Sequence, residues 1–294
     1  MNFAEFGQII QELRKNSYDE YGKRMTRETL CQKVHLTLHQ LGRLERGERK
    51  YLDNQTLLLL AKTFNLTNLE QKEFLIAAAG VIEKDLYNHG KPQAQLNDLI
   101  ALAENLQVPA YIVDDYADLL AANRSVLNLY NLTPEIIEYA RSIPFGFNAI
   151  YYIYSSRFGL KDIIDNSTWK EAADLYMLFF RRSTLRLRHT EYFKQIFRAL
   201  IKEKQFDIDW HSSYKQTEQL DITYQRVKIE HPAYGLINYT GTETKIQTNK
   251  GNLYLMIYSP SDRATLSLFT GLLENNSNTA TRLAPWPEKK IIPD

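Results

Sequence analysis

Leu30 and Val34, then Leu41 and Leu44, flank the short segment His35-Leu36-Thr37. Residues three or four apart share one face of a helix. The pattern therefore predicts two short helices joined by a tight turn, with their apolar faces packed together. Thr26 stands where a hydroxyl can accept an orphan backbone N–H at the start of the first helix. Gly47 stands where a left-handed residue would close the second. Burying those four apolar residues leaves Thr37, Leu38, His39, Gln40 and Arg43 pointing elsewhere, most of them in the first turn of the second helix.

The surrounding sequence extends this pair into an all-helical block over residues 1–80. Phe3, Phe6, Ile9, Ile10 and Leu13 predict a first helix, residues 16–24 a polar loop, and 54–64 and 68–80 a fourth and fifth helix, the last ending at Gly80. Residues 81–105 read as a linker (HGKPQAQ, 89–95) and a connecting helix around 96–106. Residues 106–272 read as an α+β domain. Strands flank a turn at Asp114-Asp115, a short helix covers 123–130, and 169–206 is strongly helical with Trp169, Ala173, Tyr176 and Phe180 on one face. Strand periodicity follows from residue 220 onward. A change of phase after Gln225 suggests a bulge, with further strands at 235–240 and 253–258. The tail, 273–294, has Asn, Ser and three prolines and is expected to be loosely ordered. The fold class is thus mainly α plus α+β: a five-helix N-terminal domain, then an α+β domain with an antiparallel sheet.

The formal net charge of +1 does not announce a nucleic-acid partner. The distribution does. Residues 23–50 hold eight Lys/Arg against three acids, the local excess that phosphate contact requires. Thr26, Arg27, Arg46 and Arg49 join the outward-facing residues as candidate DNA contacts. Gln40 has the chemistry to pair with adenine and Arg43 with guanine or phosphate.

TRETLCQKVHLTLHQLGRLERGERK (26–50) resembles the Xre/Cro helix-turn-helix family, most recognisably in RLERGER (43–49). The resemblance implies a recognition helix reading double-stranded DNA from its N-terminal residues, and a homodimer on paired half-sites. His35 stands where a turn glycine is usual, and Leu38 and His39 where small polar or basic residues are common, so the operator does not follow from the family. The same helical domain could instead serve as an adaptor against a protein partner.

Of 35 aromatic residues, 28 lie after residue 80, a composition suited to an apolar ligand cavity. PAYIVDDYADLLAANRSVLNLY (109–130) is similar to the opening of the MmyB-like, PAS-like ligand-binding domain. Trp169 with Ala173 and Arg181, Phe206 with Trp210, His231-Pro232 with Gly235 and Leu236, and YLMIYSP (254–260) continue the similarity in order. The resemblance implies a sensor of a small apolar molecule, with a fatty-acid-like ligand the leading candidate. Tyr111, Leu119, Trp169, Tyr176, Phe193 and Trp210 would line the acyl chain, and Arg181 or Arg182 would meet a carboxylate. The basic run 181–204 reads as a solvated helix face.

Other classes find little support. The six histidines show no metal spacing, the single Cys31 cannot form an intrachain disulfide, and no phosphate loop or nucleophile elbow occurs. Asp114, Asp115 and Asp118 read as turn residues. The sequence predicts no enzyme, no metal and no other cofactor. The N-terminus lacks the apolar core of a signal peptide, and no run approaches the length of a membrane span, so a cytoplasmic protein without membrane contact is expected.

Overall fold

The computed structural model describes residues 3–48, 51–80, 91–158, 166–213, 224–273 and 277–292. The chain forms two compact units. The first comprises residues 1–87 with 181–197 and 211–219. The second comprises 88–180, 198–210 and 220–294.

In the first unit, helices α1 (Phe3–Lys15), α2 (Arg27–Val34), α3 (Leu38–Glu45), α4 (Asn54–Thr63) and α5 (Asn68–Ala78) enclose one apolar core. Phe6, Ile9, Ile10 and Leu13 face Leu30, Val34, Leu41, Leu44, Leu60 and Phe74 within it. Local signals set the boundaries. Thr26 accepts from the Thr29 amide, and Thr37 and Thr67 each form a capping box, with Gln40 and Glu70 respectively. Gly47 has φ +72 and packs so closely on α1 that a β-carbon there would lie 2.4 Å from the Cα of Ala4. His35 closes α2 in the left-handed region, at φ 54 and ψ 39, a conformation that favours glycine.

The second unit is built on a six-stranded antiparallel sheet in the order β3-β4-β5-β1-β2-β6. Its strands are β1 (Ala110–Asp114), β2 (Leu119–Asn123), β3 (Tyr224–His231), β4 (Gly235–Thr248), β5 (Gly251–Pro260) and β6 (Ala280–Arg282). Helix α6 (Pro92–Asn105) packs Leu96, Leu99, Ile100 and Ala103 on one sheet face, against Ala110, Ile112, Leu120, Leu253 and Leu255. Pro92 occupies its first turn, so the helix starts earlier than the sequence suggests; Gly90 and the residues from 81 lie outside those described. Helices α7 (Arg124–Leu129), α8 (Pro134–Ser142) and α9 (Ala149–Tyr154) follow β2. Helices α10 (Asn166–Thr184), α11 (Glu191–Leu200) and α12 (Lys204–Ser212) cover the predicted helical stretch 169–206 and extend past it, with residues 181–197 belonging to the first unit, and α13 (Arg263–Gly271) follows β5.

Three sequence expectations are corrected here. The β3–β4 register runs unbroken from Tyr224↔Thr242 to His231↔Gly235, so no bulge follows Gln225. The irregularity lies between Ile112 and Val113, opposite β2. Strand β4 continues to Thr248 rather than stopping near 240, because the polar stretch TGTETKIQT pairs along the whole of β5 and turns at Asn249-Lys250. The tail is ordered over its described residues. Strand β6 pairs with β2, Trp286 is buried, and Lys289 forms ion pairs with both Asp114 and Asp118.

Candidate functional site

In the first unit the polar residues of α2 and α3 lie outward, with the exception of Glu45. Thr26, Arg27, Thr37, Leu38, His39, Gln40, Arg43 and Arg46 are all exposed, Leu38 by 51%. Arg49 lies outside the described residues. Several of these side chains already have local tasks. Gln40 Oε1 accepts from the Thr37 amide at 2.9 Å while Thr37 Oγ1 accepts from the Gln40 amide at 3.1 Å. Gln40 therefore builds the N-terminus of α3 as well as presenting its amide. Arg27 donates to Glu45 at 2.8 Å, and Arg14 donates to the other oxygen of the same carboxylate at 2.7 Å. Glu45, the glutamate of the Glu-Arg-Gly triplet, is buried and is a structural anchor tying α3 to α1 and α2. Arg46 pairs with Glu48 at 2.6 Å, with Arg43 3.8 Å from the same carboxylate. Both pairs are exposed, so solvent screens them and they exchange readily for another anion.

A second ion cluster in this unit is buried. Glu70 accepts from Arg181 Nε at 3.0 Å and Nη2 at 2.9 Å, and pairs with Arg188. All three side chains are almost fully enclosed. Burial alone would raise the carboxyl pKa, but the two guanidiniums and the Thr67 amide hold it down at about 2. Arg186 pairs with Glu73 at 3.2 Å. The first part of the run 181–204 is thus not a solvated face, whereas Arg198, Lys202 and Lys204 are exposed as expected. Its first arginines anchor a segment of the helical unit, and Arg181 has its guanidinium on Glu70 instead of facing a ligand. Phe193 falls in the same unit and stacks on Phe197 at 5.7 Å, so the structure does not group it with Trp169 and Trp210.

In the second unit, the sheet face away from α6 carries Tyr111 and Val113 of β1, Tyr254 and Tyr258 of β5, and Tyr239 of β4. The hydroxyls of Tyr111 and Tyr176 are hydrogen-bonded, so two predicted ligand residues meet. Tyr130, which closes α7, bonds Tyr258 at 3.0 Å. Tyr239 stacks on Tyr258 at 4.2 Å, and Tyr111 meets Tyr258 edge-on at 5.8 Å. Loss of water pushes the Tyr111, Tyr239 and Tyr258 phenols well above their ordinary pKa, so they remain neutral. Leu119 is half-buried opposite Val113. The sequence reading missed Tyr130, Tyr239 and Tyr258. For Tyr239 and Tyr258 the available signal was tyrosine, rather than phenylalanine, at inward positions of a strand; Tyr130, at the end of a helix, carried no such signal.

Trp169 and Trp210 belong to a neighbouring aromatic cluster with core functions. Trp169 Nε1 donates to the Ile153 carbonyl at 2.9 Å and meets Tyr154 edge-on. Trp210 stacks on Phe206 at 5.8 Å, and Tyr154 donates to the buried Asp209 at 3.0 Å.

At the end of β2 one side chain, Asn123, joins several elements. Asn123 Oδ1 accepts from the Ala110 and Val126 amides, and its Nδ2 donates to the Ala103 and Val108 carbonyls. It caps α7 and joins β2 to β1 and α6. Asp114 satisfies its own turn, accepting from the Tyr116 and Asp118 amides. Asp115 instead accepts from Asn252 and Tyr254 of β5.

Residues 97–272, more than half of the chain, match the model of the MmyB-like transcription regulator ligand binding domain. The chain belongs to that family. The tyrosine face, Asn123 and the His231-Pro232 turn all fall within the MmyB-like domain. Here His231 Nδ1 accepts from the Ala233 amide and its ring stacks on Tyr234. The segment 181–197 also falls within the match, although it packs as part of the first unit. A comparison with curated proteins returns no match. Among the described residues no helix is long and apolar enough to cross a membrane.

Proposed function

We propose that this MmyB-like chain is a one-component transcription regulator that binds a double-stranded DNA operator through α3. The second unit binds a small apolar, fatty-acid-like ligand, and the ligand biases DNA binding through its differential affinity for two states. The functional form is a homodimer, since paired helices of this type read paired half-sites. The reading assigns no catalytic step and no cofactor. The observation that carries it is α3 itself: a capped helix that buries Leu41 and Leu44 while exposing Leu38, His39, Gln40 and Arg43.

The test is selection of bound duplexes from a randomised library, followed by anisotropy titration of the enriched sequence over a range of salt. Wild type is expected to enrich a sequence with paired half-sites. Arg43→Ala should weaken binding about 10- to 100-fold, as loss of a base-reading arginine does. A phosphate-only role would instead weaken all sequences alike and lower the salt slope by about one. Enrichment of no sequence by the wild type would overturn the operator reading.

A groove on the first unit favours the adaptor as a second reading. It has a volume of about 540 Å³ and is lined by Phe3, Tyr51, Leu52, Leu57, Leu58 and Leu75. Tyr51 and Leu58 are exposed by 87% and 52%. DNA binding without sequence preference would leave this reading in place of the first.

A further inference from the structure

The polar atoms that converge inside the second unit are phenol oxygens. Tyr111 of β1, Tyr239 of β4, Tyr258 of β5, Tyr176 of α10 and Tyr130 after α7 come from five separate elements to one place. Their hydrogen-bond partners are one another. Tyr111 bonds Tyr176, Tyr130 bonds Tyr258, Tyr176 also reaches Tyr258, and Tyr239 reaches both Tyr130 and Tyr258. Packing does not explain this. Phenylalanine would supply the same rings without withdrawing these hydroxyls from water, which costs free energy wherever one of them loses its partner. A cluster of rotatable O–H groups can exchange bonds among themselves for bonds to an incoming oxygen, donating to it and accepting from it.

The cluster carries no formal charge, because burial keeps its phenols protonated. Of the two cations that the sequence offered to a ligand carboxylate, Arg181 has its guanidinium on Glu70 in the first unit, and Arg182 belongs to that unit too. A carboxylate taken among neutral phenols loses its hydration and gains no counter-charge, a penalty of several kcal/mol that an uncharged oxygen avoids.

We infer that the five-tyrosine cluster is the head-group site for the ligand of this domain, and that it accepts an uncharged oxygen in preference to a carboxylate. The inference rests on the ligand-sensing function proposed above. The chemical class it names is a long-chain alcohol, ketone or lactone. A fatty acid enters only as its protonated acid.

Isothermal titration of the full chain with 1-dodecanol and with dodecanoate, at pH 6, 7 and 8, tests this without any variant. Dodecanol affinity should not change over this range, and this arm controls for titration of the protein, including His231. Dodecanoate affinity should fall about tenfold per pH unit, because only the protonated fraction is competent to bind. Tyr258→Phe and Tyr176→Phe, each keeping its ring, should weaken dodecanol about three- to tenfold, as loss of a single hydrogen bond does. Their melting temperatures report whether the core is intact. Dodecanoate that binds more tightly than dodecanol at pH 8 with no pH dependence overturns the inference alone. So does dodecanol affinity unchanged in both folded variants. If neither probe binds and native mass spectrometry finds no co-purified apolar molecule, the ligand-sensing reading itself falls.

Discussion

The two units expose and bury different polar chemistry. Apart from the enclosed Glu45 and Glu70 clusters, the core of the helical unit is apolar, and Arg27, Arg43 and Arg46 stay at its surface, paired with Glu45 and Glu48. The sheet unit buries phenols, Asp114, Asp115, Asp118 and Asn123 beside its strands. Surface charge can be exchanged for a phosphate at little cost. Buried polar groups are bonded at high cost and answer to a molecule that enters the core. The contrast fits a surface that meets a polyanion and an interior that meets a small molecule.

Each unit also contains one buried ion cluster, and the two have opposite charge patterns. Glu70 sits between two cations, Arg181 and Arg188. Lys289 sits between two anions, Asp114 and Asp118. Removing the central charge should be the most damaging change in either unit. Glu70→Ala strands two guanidiniums out of water and should cost about 3–5 kcal/mol. Trp169, Trp210 and Trp286 all lie in the second unit. Urea unfolding followed by circular dichroism should therefore shift further than unfolding followed by tryptophan fluorescence. Equal shifts would show that the segment 181–197 does not stabilise the helical unit separately.

The clusters should also differ in the sign of their pH dependence. Glu70 is held at about 2 against an ordinary 4.5. Its stabilisation is fully present above pH 4.5 and is lost as the pH falls toward 2. Burial raises Asp114 from an ordinary 3.8 to about 7, against the pull of Lys289 and with the help of Asp118. Its contribution is present below pH 3.8 and is lost as the pH rises through about 7. Lys289→Met removes the counter-charge, so its cost, about 3 kcal/mol at pH 8, should shrink at pH 5. A cost independent of pH would assign Lys289 to packing instead.

Local and non-local signals explain what the sequence could disclose. Thr26, Thr37, Gly47 and the apolar spacing of α1 to α3 act within one or two turns, and each element they predict is found. The far half of β4 was invisible, because Thr242 to Thr248 owe their strand conformation to pairing with β5 and not to alternation of their own. The ordered tail likewise depends on β2 and on two aspartates about 170 residues earlier. The tyrosine cluster was only half legible. Tyr111 lies in the segment that carries the family resemblance and Tyr176 on the apolar face of a predicted helix, whereas Tyr130, Tyr239 and Tyr258 are joined to them only by the tertiary fold. Arg181 misled because charge in a helix usually means exposure, and its partner lies 111 residues away.

Asn123 shows the cost of a polar residue whose four bonds are all to backbone. Asn123→Ala removes the cap of α7 and leaves the Ala110 amide and the Ala103 and Val108 carbonyls without that partner. A cap alone is worth about 1 kcal/mol, and each stranded buried group adds about 1 kcal/mol or more. A loss of about 3 kcal/mol is expected, seen first in tryptophan fluorescence, since α6, β1 and α7 all belong to the second unit. A loss below about 1 kcal/mol would mean that solvent replaces the amide.

The smallest expected effect is a gain, and it tests whether the helical unit can be tuned alone. His35 holds φ 54 without being a glycine. The left-handed conformation costs a residue with a β-carbon roughly 1–2 kcal/mol. His35→Gly relieves that strain but loosens the unfolded chain by about 0.5–1 kcal/mol, leaving a net gain of about 0.5–1 kcal/mol. The α2–α3 turn should stiffen in hydrogen exchange at the Leu36 and Thr37 amides, which bond to Cys31 and to Gln40. Operator affinity should stay within about twofold, because Thr37 and Gln40 already fix the start of α3. A larger fall in affinity would make His35 itself a DNA contact, and so extend the exposed face by one residue into the turn.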